Sequence, residues 1–79
     1  LGRFFLELPW VDDAIVRVRE RGREFTAEAH VIPKAVEVSV ADLCSASEKA
    51  REIDPRLADV TIAPVREFPD DVARARNSA

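Results

Sequence analysis

Four side chains in this sequence have the types and placement for metal or acid–base chemistry: Glu28, His30, Asp42 and Cys44. His30, in the stretch REFTAEAHVIP, is the only histidine of the chain, and Cys44 is the only cysteine. Glu28 lies two residues before His30, and in a strand two residues apart means the same face. Asp42 and Cys44 fall in the first turns of an expected helix. A zinc site takes about four nitrogen, oxygen or sulfur donors of this kind, with the imidazole neutral and the thiol deprotonated. Residue chemistry alone leaves His30 open as a metal ligand, a pH-sensitive group or a hydrogen-bonded strand residue. It leaves Cys44 open as a ligand or as a small filler on a helix flank.

Other reactive arrangements are missing from the sequence. Gly2 and Gly22 are the only glycines, so there is no Gly-rich phosphate loop. CxxC, HxH and HExxH do not occur, and no nucleophile stands beside the single histidine in sequence. The chain therefore does not read as an enzyme. The carboxylate pairs Asp12-Asp13 and Asp70-Asp71 sit beside turns or helix starts, where such pairs serve as caps.

Net charge is −3, with 34% of residues charged and both signs mixed. That is a solvated surface and not the basic face that nucleic acid needs. Arg17, Arg19, Arg21 and Arg23 cluster, but Glu20 and Glu24 interrupt them, as at a solvated hairpin tip. A lone cysteine allows no disulfide within the chain, which fits a reducing compartment. No window approaches the roughly 20 apolar residues of a membrane span, and no signal-peptide pattern is present. The first residue is Leu and not Met, which suggests a piece of a longer protein or a processed chain. A domain of 79 residues buries only about 60% of its unfolded surface, so contacts with a second copy or a parent chain are expected.

The elements that must position these residues follow from periodicity. Leu1, Phe4, Phe5 and Leu8 have helical spacing, so residues 1–8 read as the last turns of a helix that Pro9 stops, with Trp10 and Val11 tucked under a sheet. Ala14, Val16 and Val18 alternate with Ile15, Arg17 and Arg19; past a turn at Arg21-Gly22, Phe25, Ala27, Ala29 and Val31 alternate with Thr26, Glu28, His30 and Ile32. Two alternating runs across a short Gly-containing turn predict a β-hairpin. Its small apolar face suits a helix layer, and its other face, with Arg17, Arg19, Thr26, Glu28 and His30, is wet. Pro33 ends the second strand and KAVEV is an extended connector. Ser39 caps a helix whose stripe is Val40, Leu43, Ser47, Ala50 and Ile53, widened by Ala46 and Leu57, and Asp54-Pro55 ends it. LADVTIAPV is a third strand, with Val60 and Ile62 on one side and Thr61 and Ala63 on the other. The expectation is one α+β domain over residues 1–66, a two-layer sandwich in the order αββαβ with a mostly antiparallel three-stranded sheet. Residues 67–79 are a polar, partly disordered tail, with one turn of helix at Asp70–Arg76.

Pro9-Trp10-Val11, Arg21-Gly22-Arg23, Glu28-Ala29-His30, Ser39-Val40-Ala41-Asp42 and Asp59-Val60-Thr61-Ile62 occur in that order over about residues 5–65. In this order and spacing the chain resembles the C-terminal cytoplasmic domain of cation diffusion facilitator transporters. The resemblance implies a ferredoxin-like, metallochaperone-like fold on the cytoplasmic face of the membrane, below the transmembrane domain of a parent transporter. It also implies a V-shaped homodimer that binds zinc or another divalent cation at its interface, metal favouring transport. His30 stands at the family's second-strand histidine, and the helix-start histidine falls at Asp42. The third-strand ligand falls near Ala63, which cannot ligate, so Glu28, Cys44 or a group of the second subunit must complete the shell. Arg17, Thr26, Glu28 and His30 would then meet the partner. The alternative is a small-molecule-binding or pure interaction module with no metal role, its ligand at the glycine-free loop Pro33–Asp42.

Overall fold

In the computed structural model, which describes residues 2–77, the hairpin forms the middle of the molecule. Strands β1 (Val11–Arg21) and β2 (Glu24–Pro33) pair antiparallel, with Arg17 opposite Glu28 and Ile15 opposite His30. Gly22 opens the two-residue connection with φ +63°, the left-handed conformation that a tight hairpin of this length requires and that glycine adopts without a Cβ penalty. Helix α1 (Gly2–Leu6) precedes the hairpin; helix α2 (Val40–Ile53), strand β3 (Leu57–Pro64) and helix α3 (Asp70–Asn77) follow it. Leu1, expected on the apolar side of α1, lies outside the described residues.

The sheet has the order β1-β2-β3, and β3 runs parallel to β2. The expected mostly antiparallel sheet is thus a mixed one. The reason lies in the connection. A tight turn reverses the chain, whereas a helix between two neighbouring strands carries it back to the starting edge, so the second strand runs the same way.

Two interruptions of the pairing shape the core. The β1–β2 register shifts between Val11 and Asp13, and the β2–β3 register shifts between Phe25 and Thr26, where Leu57 and Asp59 are their partners. Each shift inserts one residue into an outer strand, as a β-bulge does. Val11 and Ala14, three apart, consequently face the same side, and so do Leu57 and Val60; all four are buried. At both bulges an aspartate satisfies the displaced backbone. Asp13 Oδ1 accepts the N–H of Ala14 at 2.8 Å, and Asp59 Oδ1 accepts the N–H of Val60 at 2.9 Å. Asp12-Asp13 therefore sits inside a strand and caps no helix, whereas Asp70-Asp71 lies in the first turn of α3, where carboxylates complement the helix dipole.

The main core lies between the sheet and helices α1 and α2. Ala27, Ala29 and Val31 of β2 meet Phe5 of α1 and Ala46 and Ala50 of α2, with Phe4, Leu8 and Trp10 packed around them. Small residues on both the helix and the strand let the two backbones approach closely. The Ser47 hydroxyl donates to the Val60 carbonyl at 3.2 Å and ties helix to sheet. Ser39 caps α2 as expected, its Oγ accepting from the N–H groups of Ala41 and Asp42, and Asp54 closes it. The expected apolar stripe is too long at both ends. Val40 is 74% exposed and Ile53 57% exposed, because the sheet supports only the middle turns of α2. Val18, placed by alternation on the helix face, is also exposed.

The segment read as a tail forms α3, an eight-residue helix. No helix among the described residues is long and apolar enough to cross a membrane.

Candidate functional site

Alternation along β2 turns Glu28 and His30 away from the Ala27, Ala29 and Val31 side chains of the main core. The register then sets Arg17 of β1 and Thr61 of β3 on either side of Glu28, and Ile15 and Ala63 on either side of His30. Arg17 donates from Nη2 to Glu28 Oε1 at 2.7 Å. His30 Nε2 stands 3.4 Å from the same oxygen. Glu28 is therefore the hub of a short polar row on the central strand.

This face is wet only in part. Ile15 and Val72 are buried, yet neither belongs to the main core cluster. Ile15 shares the Arg17 face by alternation, and Asp71 of α3 reaches Arg17 Nη1 at 3.5 Å. Helix α3 thus lies against this side, with Val72 pointing in and Asp71 at its rim. On this face the His30 side chain keeps 12% of its exposure and Arg17 keeps 23%. Toward the hairpin tip the face stays open, as a shallow hollow of about 230 Å³ lined by Arg19, Thr26, Glu28, Asp59 and Thr61.

The electrostatics follow from Arg17. Its guanidinium, hydrogen-bonded to Glu28, holds that carboxyl below its usual range, and burial opposes the shift only partly. The same bond pushes the Arg17 guanidinium further up. Two nitrogens on this face, Arg17 Nε and His30 Nδ1, are buried without a hydrogen-bond partner. A buried polar atom left unpaired costs about 1–3 kcal/mol, so the covered state is imperfectly satisfied at two adjacent residues.

Asp42 and Cys44 are not brought to His30. Both are exposed on α2, whose buried residues Ala46 and Ala50 pack on the opposite side of the sheet. Among the described residues no three of His, Cys, Asp and Glu are grouped to hold a metal ion. Glu28 and His30 are two neighbouring donors, half the set that zinc takes, and one chain alone does not fit the ion. Thr26, expected at a dimer face, lines the open hollow with Glu28, while Arg17 reaches Asp71 of α3.

Sequence reasoning missed Asp71 and Val72 as part of this site. The pattern FPDDVARA carried a signal for a helix start, but a short polar segment whose only large apolar residues are Phe68 and Val72 does not say which face of the sheet it packs on.

A second concavity lies at the far end of β2 and β3. It is a groove of about 570 Å³ lined by Val36, Val38, Leu43 and Val65, with Lys34 and Arg66 among its walls. Comparison of the chain with protein-family models, with curated proteins and with solved structures finds no match.

Proposed function

We propose that this is the cytoplasmic dimerisation and metal-sensing regulatory domain of a divalent-cation efflux transporter of the cation diffusion facilitator type. The observation that carries the reading is the Glu28–His30 pair, set side by side on the central strand and turned away from α1 and α2. One copy offers two donors there; two copies facing each other offer four, the number a zinc ion takes. A site of that kind forms only between copies, which couples metal binding to association. Its partners are then a second copy of the chain, a divalent cation and the transmembrane domain of the parent transporter. The sequence segments that resemble the family support the same reading.

Sedimentation velocity and thermal unfolding with and without zinc test the proposal. A ligand that binds only the folded, paired form stabilises it by mass action. Zinc is expected to raise both the dimer fraction and the Tm, and His30→Ala to abolish both effects. A chain that stays monomeric and unshifted at all zinc concentrations overturns the reading.

The groove favours a second reading, a small-molecule-binding module. It lies along the connector between β2 and α2, is mostly apolar, and carries two cations, Lys34 and Arg66, without an ion-pair partner among the described residues. Its volume is within the ordinary range for ligand sites. An apolar ligand with an anionic head fits that chemistry. Thermal shifts with short-chain carboxylates and amino acids, but none with zinc, select this reading over the first.

A further inference from the structure

Helix α3 stands where a partner would have to stand. Its one buried side chain among the described residues is Val72, 1% exposed. Its ion pair to Arg17 is made by an Asp71 side chain that is 70% exposed, a solvated contact that salt screens. Eight residues are too few for a helix to persist without its packing surface. The face is also chemically incomplete, since Arg17 Nε and His30 Nδ1 are buried on it without acceptors. A surface that brought carboxylates to these two nitrogens would serve them better than α3 does.

The sheet face itself is such a surface. Arg17 and Arg19 of β1 stand beside Glu28 of β2 and Asp59 of β3. A patch that carries both signs can be its own complement across a two-fold axis, each cation meeting the partner copy's carboxylate. We propose that α3 is a displaceable cover, which occupies within one chain the sheet face on which a second copy docks. Detachment of α3 exposes Ile15, Arg17, Glu28 and His30 for that contact. The covalently attached helix competes at high effective concentration, so association stays weak until α3 lets go. This inference rests on the reading of the domain as a dimerisation module.

The test uses the full chain with Val72→Asp, which places a carboxylate at the anchor. His30, as the only histidine, reports directly through its rate of carbethoxylation by diethyl pyrocarbonate. The rate is expected to rise about tenfold in the variant at dilutions where it is monomeric, as a local opening becomes populated. At higher concentration the variant is expected to dimerise at about tenfold lower concentration than the parent chain. Asp71→Lys, which sets a cation beside Arg17 without touching the core, is expected to move both readouts the same way by a smaller factor. Far-UV circular dichroism checks that both variants keep the sheet. Unchanged labelling in both folded variants overturns the cover, even where the parent chain dimerises with zinc as proposed above. Faster labelling without association at any concentration overturns the second copy as occupant, and with it the dimerisation reading.

Discussion

On one face of the sheet Ala27, Ala29 and Val31 meet Phe5, Ala46 and Ala50, and no polar residue is buried among the described residues. On the other, Ile15 and Val72 share their cover with Arg17, Glu28 and His30, and two nitrogens go unpaired. The first face is fixed by volume. Small side chains set a short distance between helix and strand, and neither salt nor pH changes that distance. The second is fixed by charge and by one apolar anchor, so solution conditions can change it. A domain built this way keeps its fold on one side of the sheet and its adjustable contacts on the other.

Substitutions that act on one face at a time can break this contrast. Phe5→Ala, on the volume-limited face, is expected to cost about 3–5 kcal/mol in urea unfolding. That is comparable with the whole stability of a small domain, and a loss under about 1 kcal/mol would show that α1 is dispensable to the core. Glu28→Gln, on the charged face, is expected to cost about 1 kcal/mol at neutral pH, between a solvated ion pair and a buried charged hydrogen bond. Its sign with pH is fixed by Arg17, which holds the folded carboxyl below the ordinary value of 4.5. The contribution is complete above that value and is lost as pH falls through the lower folded value. Unfolding curves of variant and parent should therefore converge in acid, and a constant gap down to the lowest pH would assign the loss to packing. The smallest effect belongs to Val40→Lys, at a position exposed on α2. It should change stability by less than about 0.5 kcal/mol, and a larger loss would extend the volume-limited face to the first turn of α2.

Much of this arrangement is legible in the sequence, because much of it is local. Alternation fixes which side of β2 carries Glu28 and His30, Gly22 fixes the hairpin turn, and Ser39 and Asp54 mark the ends of α2. What the sequence leaves out depends on contacts between distant segments. The direction of β3 is set by the path of the connection and not by the residues of β3 itself. Val40 and Ile53 continue the periodic stripe of α2 but overrun the sheet that would bury them. Asp42 and Cys44 are near the expected site along the chain, yet the sheet stands between them and His30. The bulges at Asp12 and Ala58 shift the alternation by one residue, and only the paired structure shows that each is matched by an aspartate bonded to the next backbone N–H.

The parallel pairing of β3 also has a consequence in time. The β1–β2 hairpin closes across two residues, and such hairpins form in about 1–10 μs. β3 reaches its place only after α2 has carried the chain across, and contacts of greater sequence separation are made more slowly. Until it arrives, the outer edge of β2 from Phe25 to Val31 offers a row of unpaired backbone groups on an alternating apolar strand. An open edge of that kind recruits strands from other chains. The time that β3 takes to dock against β2 therefore sets how long a newly made chain remains adhesive.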